Sequence, residues 1–225
     1  MTEQEQSALP APAGHGGTNR KNTSRKKRNV PFWQELPILA GIAIVLALVI
    51  KTFLVQTFYI PSGSMENTLH LQDRVLVNKV VYDFRAPRRG EIVVFTGVDW
   101  GPDQDYIKRV IGLPGDTVQC CDTKGRVMVN GTGLDEPYIF ENNALEDRSF
   151  NSVEVPAGRL WVMGDHRGAS GDSRAHQADQ WSGTIPIDRV VGRAFVIVWP
   201  PGRGGTLSVP PSLDTAGARA RVSPP

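Results

Sequence analysis

The stretch DYIKRVIGLPGD, Asp105–Asp116, decides how this chain is read. Apolar β-branched residues alternate with polar ones, which is the pattern of a half-buried strand, and Leu-Pro-Gly-Asp closes the run in a turn. On such a strand Tyr106, Lys108 and Val110 share one face, and Ile107, Arg109 and Ile111 the other. One charge between an aromatic and a β-branched residue then needs a reason. Two readings of Lys108 are open. An edge-strand lysine reaches water and discourages aggregation. A buried lysine is desolvated, binds its proton less tightly and becomes a base near neutral pH.

Similar segments lie on both sides: QDRVLVNKVVYDF (72–84), GEIVVF (90–95), DTVQCC (116–121), GRVMVNG (125–131), GRLWVMG (158–164) and RVVGRAFVIVWP (189–200). They are rich in Val and Ile and are separated by Gly, Pro, Asp or Asn, as strands and hairpins are. Asp122–Arg126 and Asn130-Gly131 are turn formers. The fold class is therefore mainly β, an antiparallel β-sheet domain over residues 60–200 in sandwich or barrel form. Residues 132–151 read as irregular. Residues 201–225, opened by a cluster of Gly and Pro, read as a flexible tail.

Upstream the composition changes. Residues 1–34 carry six basic and two acidic residues with no apolar period, and read as a disordered basic tail on the cytoplasmic side. Leu36–Ile50 has no charge, and apolar character resumes after Lys51 as far as Ile60. A helix continued to about Phe58 spans a hydrocarbon core of about 30 Å, so residues 35–59 read as a transmembrane anchor. Lys51 reaches the outer interface along its own stem. No small-residue pair suited to cleavage follows the apolar run, which separates it from a removable leader. The basic cluster places the N-terminus in the cytoplasm and everything after residue 60 outside the plasma membrane. The net charge of the whole chain is +2, so no nucleic-acid partner is expected.

Reactive groups are few. Cys120 and Cys121 are neighbours, either two free thiols or a vicinal disulfide, and no Cys/His spacing suits zinc. His70, His166 and His176 are the histidines available for a Ser-His-Asp arrangement, and His166 stands between two aspartates. Ser62-Gly63-Ser64 follows the apolar stretch directly. It reads either as a flexible exit linker or as a nucleophile with a second hydroxyl projecting to the same side.

Four motifs occur in order behind the apolar stretch: PSGSM (61–65), QDRVLVNK (72–79) with RRGEIVVF (88–95), YIKRVIGLPGD (106–116) and MGDHRGASGDSR (163–174). Together they resemble the bacterial type I signal peptidases (leader peptidases), over roughly residues 36–200. The resemblance implies a serine endopeptidase with a Ser-Lys dyad and without metal or cofactor. Ser64 matches the nucleophile and Lys108 the general base. Ser62, with the Ser64 backbone N–H, matches the oxyanion hole, and Ser170 the serine that orients the lysine. Asp172 and Arg174 match a pair that shapes the site, and Arg167 a structural arginine. The implied fold carries a variable β insertion, here about residues 120–155. The implied partners are preproteins bearing signal peptides, cut after small-x-small sites, and the lipid bilayer, with the protein-export machinery as a further one.

The fourth motif departs from the family's usual GDNRDNS. His166, Gly168 and Ala169 stand where Asn, Asp and Asn are common, which removes an acidic group that would meet Arg167. Trp181 and Gly183 match a displaced aromatic-Gly pair. Position agrees with the implied activity. Ser64 lies four residues past Ile60, within roughly 15 Å of the end of the apolar stretch. Two rivals remain: a non-catalytic anchored β-domain that binds envelope proteins, and a soluble self-cleaving Ser-Lys peptidase of repressor type, against which the basic flank and anchor speak.

Overall fold

Twelve strands and two α-helices form among the described residues. The structure is a computed structural model and describes residues 32–49, 54–97, 100–101, 104–140 and 149–213. Residues 1–31 and 214–225, which make up most of the two expected tails, lie outside them.

Helix α1 (Phe32–Val49) contains Pro37, and its apolar side chains from Leu36 to Leu48 are exposed. No helix among the described residues is long and apolar enough to cross a membrane. The expected continuation of the helix to Phe58 does not form. Val55–Tyr59 is strand β1 and pairs antiparallel with β2 (Arg74–Asn78), from Val55 opposite Asn78 to Tyr59 opposite Arg74. VQTFY consists largely of β-branched and aromatic residues, which suit a pleated surface. A short apolar run can be helix or strand, and here the backbone bonds offered by β2 decide.

The main sheet contains β1, β2, β3 (Ile92–Phe95), β4 (Tyr106–Gly112), β9 (Arg159–Met163), β10 (Ile185–Pro186), β11 (Val190–Trp199) and β12 (Gly205–Thr206). Its order is β1-β2-β11-β3-β4-β9-β10, every pair is antiparallel, and β12 adds to β11. The expected mainly β, antiparallel architecture is what forms. All four residues of β3 are buried because both sheet faces are covered. Ile92 and Val94 join Ile60, Met65, Leu69, Val75 and Val77 on one side, while Val93 and Phe95 join Val110, Leu160, Val162 and Ile185 on the other. Each such side chain contributes about 1.5–3 kcal/mol of burial.

The region expected as an insertion is a second antiparallel sheet, β7-β6-β5-β8: β5 (Thr117–Cys120), β6 (Val127–Val129), β7 (Thr132–Gly133) and β8 (Val153–Glu154). Val118, Val127, Val129 and Leu134 pack with Ile111 of β4 and Trp161 of β9, so a shared core holds the two sheets together. Cys120 and Cys121 are joined as a vicinal disulfide. A short helix α2 (Val81–Phe84) links β2 to the turn before β3.

The tail expected from residue 201 is ordered as far as residue 213. After a turn at Pro201–Arg203, β12 pairs with Val196 and Ile197 of β11. The Arg203 guanidinium lies 3.0 Å from both carboxylate oxygens of buried Asp73. Leu207 is buried with Ile60 and Met65, and Leu213 is fully buried in the core that holds Trp161. Gly and Pro marked turns here, while two leucines supplied the anchors. Leu213→Ala is expected to lower stability by about 2–4 kcal/mol, read as a lower urea midpoint of the purified chain. A flexible tail would give no change.

Candidate active site

Ser64 sits in a single 3-10 turn, Gly63–Met65, directly after β1. Met65 and Leu69 are fully buried on the Ile60 side of the sheet, and the Leu69 N–H donates to the Met65 carbonyl at 2.8 Å. These plugs pull the turn onto β4. Ser62 precedes it in extended conformation, and its hydroxyl donates to Ser64 Oγ at 3.3 Å.

Lys108 lies on β4, opposite Val93 of β3 and between Tyr106 and Val110 on its own face. β4 is an interior strand flanked by β3 and β9, and Lys108 is only 4% exposed, which disposes of the edge-strand reading. Its Nζ donates to Ser64 Oγ at 2.8 Å. Burial pushes the lysine down from 10.5 to about 8, against the opposing pull of the Asp172 and Asp165 carboxylates. A hydroxyl and an amine that loses its proton near neutral pH are thus in hydrogen-bond contact. That is the pairing nucleophilic catalysis needs.

The segment 164–174 packs on this pair. The Arg174 guanidinium grips Asp172 at 2.9 and 2.8 Å and donates to the Arg167 carbonyl, and Asp172 also accepts the Gly164 N–H at 3.0 Å. Burial acts to raise the Asp172 carboxyl, but Arg174, the Gly164 N–H and the Ser170 hydroxyl together hold it below its ordinary value. Asp172 is therefore a fixed negative charge beside Lys108. Ser170 is buried close to Gly164 and Ser64. A side chain at Gly164 would collide with both the Ser170 hydroxyl and the Ser64 carbonyl, so only glycine allows the two segments to touch. At Gly63 a Cβ would meet the Glu66 carboxylate, the mobile end of a side chain that can move aside.

Four residues that the sequence reading did not single out complete the support. Arg109, on the opposite face of β4 from Lys108, forks onto Asp165 at 2.8 and 2.6 Å, reaches the Gly90 carbonyl and lies 4.2 Å from the Tyr138 ring centre. Glu136, from the loop after β7, takes Arg167 in a two-point bond of 2.8 and 2.5 Å, and Tyr138 donates to the same carboxylate. The acidic partner missing from the GDHRGAS loop is thus supplied by the second sheet. A charge inside an apolar strand demands a buried partner, and Arg109 in YIKRVIG was the signal available for Asp165. Nothing local marks Glu136.

Two of the described histidines are engaged elsewhere. The His70 backbone N–H donates to Asp73, and the His176 ring stacks on Trp100 at 4.6 Å. His166 lies beside Gly63 and Glu66. No group of three or more His, Cys, Asp or Glu able to hold a metal ion is found among the described residues. Trp181 is partly exposed, with the Arg159 guanidinium over its ring.

Residues 33–199 match the family model described as signal peptidase, peptidase S26. A signal peptidase I from Mycobacterium tuberculosis is 39% identical over 221 residues, covering 77% of this chain and 75% of its own. A probable signal peptidase I-2 from Synechocystis is 42% identical, covering 84% of both chains. Signal peptidase I T of Bacillus subtilis is 36% identical, covering 81% of this chain and 93% of its own. A family match over most of the chain, joined to this depth of identity, makes the chain a serine endopeptidase of the signal peptidase family, peptidase S26.

Proposed function

We propose that the chain removes N-terminal signal peptides from exported preproteins, cutting after small-x-small sites through an acyl-enzyme on Ser64 with Lys108 as general base. The observation that carries this reading is the 2.8 Å contact between Lys108 Nζ and Ser64 Oγ inside a buried site. Neutral Lys108 takes the hydroxyl proton as Oγ attacks the scissile carbonyl carbon. The oxyanion is held by the Ser64 N–H and the Ser62 hydroxyl. The lysine ammonium gives its proton to the leaving amine, and the C–N bond breaks. A water then loses a proton to Lys108 and attacks the ester, and as the acyl C–Oγ bond breaks the ammonium returns that proton to Ser64 Oγ. Asp172 and Asp165 favour the ammonium while it exists, so burial and charge together keep the lysine titrating near its working range. Ser170 orients the lysine from the loop that Asp172, Arg174 and Arg167 hold in shape.

The location proposed is the plasma membrane, single-pass, with the N-terminus cytoplasmic and the peptidase domain extracytoplasmic. The uncharged run Leu36–Ile50 behind the basic cluster supports it. The lipid bilayer and the export machinery are its remaining proposed partners.

The proton balance gives the test. Only the neutral amine is a base, so kcat/KM for a purified preprotein should climb with pH through about 8, where Lys108 titrates. Below that it should fall about tenfold per pH unit. Sequencing the product's N-terminus locates the cut. A flat rate between about pH 6 and about pH 9 would sink Lys108 as the base.

A further inference from the structure

His166 is one residue from Asp165 and Arg167, yet nothing in the dyad chemistry uses its ring. It makes two distinct attachments to the nucleophile turn. Its backbone N–H donates to the Ser64 carbonyl at 3.1 Å. Its ring Nδ1 lies 3.3 Å from the Gly63 carbonyl oxygen and 3.4 Å from Glu66 Oε2. Both ring neighbours are acceptors, so Nδ1 carries the proton and donates. The opposite wall is the Phe140 ring, 4.4 Å away between centres.

The Gly63 carbonyl and the Ser64 N–H belong to one planar trans peptide and point in opposite directions. Pinning the carbonyl on one side therefore aims the N–H on the other. From this we infer that His166 is a positioning residue for the oxyanion hole: its Nδ1–H holds the Gly63–Ser64 peptide so that the Ser64 N–H faces the developing oxyanion. The backbone bond to the Ser64 carbonyl pins the next peptide as well, but it survives any substitution at this site. The Gly63 carbonyl also accepts the Glu66 backbone N–H at 3.1 Å within the 3-10 turn, and the ring adds a second donor to it from the other segment. Glu66 keeps the ring in place from the side and fills the space above Gly63. The inference rests on Ser64 being the nucleophile.

The test compares His166→Ala, His166→Phe and His166→Asn in the full chain, purified in detergent, with Ser64→Ala beside them. Phe keeps the bulk against Phe140 and lacks the donor, whereas Asn keeps a donor. His166→Ala and His166→Phe are expected to lose about tenfold in kcat with KM within about twofold, because the hole acts on the transition state. A substrate-like peptide aldehyde, whose carbonyl carbon bonds to the serine Oγ and leaves its oxygen in the hole, should bind more weakly by the same factor. His166→Asn should stay within about threefold of wild type. The inference is overturned if His166→Ala keeps its kcat, if the loss lies in KM, or if Phe serves as well as Asn. Wild-type cleavage by Ser64→Ala would instead overturn the dyad reading, so the two failures are distinguishable.

Discussion

Ser64→Ala and Lys108→Met are each expected to lower cleavage of a preprotein by at least about a thousandfold, since groups acting as one unit cannot be removed singly without losing most of the effect. The two variants should then part company in stability. Lys108 is forced into the interior, where its proton affinity falls from 10.5 to about 8. At 1.36 kcal/mol per pKa unit the buried ammonium costs about 3 kcal/mol below pH 8. The unfolded chain holds that proton more tightly, so the penalty shrinks as pH rises from about 8 towards 10.5. Lys108→Met replaces the ammonium with an apolar chain of similar size. It loses one hydrogen bond worth about 1 kcal/mol. The inactive variant should therefore be more stable than wild type by about 1–2 kcal/mol at neutral pH, and the gain should fade in alkali. Ser64→Ala should leave stability nearly unchanged or lower it slightly. Urea titrations of the three proteins at two pH values would separate these outcomes, and a Lys108→Met protein that is both inactive and less stable would contradict them.

Glu136→Ala should produce the largest loss of stability of any single substitution considered. Arg167 has no exposed surface, and Glu136 satisfies it at two points. Removing one partner of such a buried pair leaves the other charge uncompensated, at a cost of about 3–5 kcal/mol. Burial acts to raise the Glu136 carboxyl, but Arg167, Tyr138 and Arg109 hold it below its ordinary value. Its stabilising contribution is therefore present above the ordinary carboxylate range and is lost as pH falls through the lowered native value. Activity should fall too, because Arg167 also donates to the Gly164 carbonyl at 3.0 Å, next to the turn that carries Ser64. Glu136→Gln keeps the shape and one acceptor and should cost less. Acid unfolding curves with and without Glu136 would show the difference as a shallower acid limb in Glu136→Ala.

Much of this architecture was legible locally. Alternation in YIKRVIG placed Lys108 and Arg109 on opposite faces, and they do face different partners, Ser64 for one and Asp165 for the other. Period two is a property of adjacent residues, so it survives without knowledge of the rest of the chain. What was hidden depends on distant residues. The Arg167–Glu136 pair joins positions 31 apart in sequence, and Arg109–Asp165 joins positions 56 apart. Val55–Tyr59 is apolar enough for either helix or strand, and only its pairing with β2 settles which. Leu213 sits among polar and Pro/Gly residues that give no sign of the cavity it fills.

The order of strands has a kinetic consequence. β11, near the end of the chain, lies in the middle of the main sheet between β2 and β3. β2 pairs with β1 and β3 with β4, but nothing joins the two groups until β11 inserts. Arg203 then closes on Asp73 across 130 positions. The main sheet cannot close before β11 has left the ribosome, so its closure is governed by non-local contacts. Until β11 emerges, the pair β1–β2 and the group β3–β4–β9–β10 are two separate half-sheets with facing open edges.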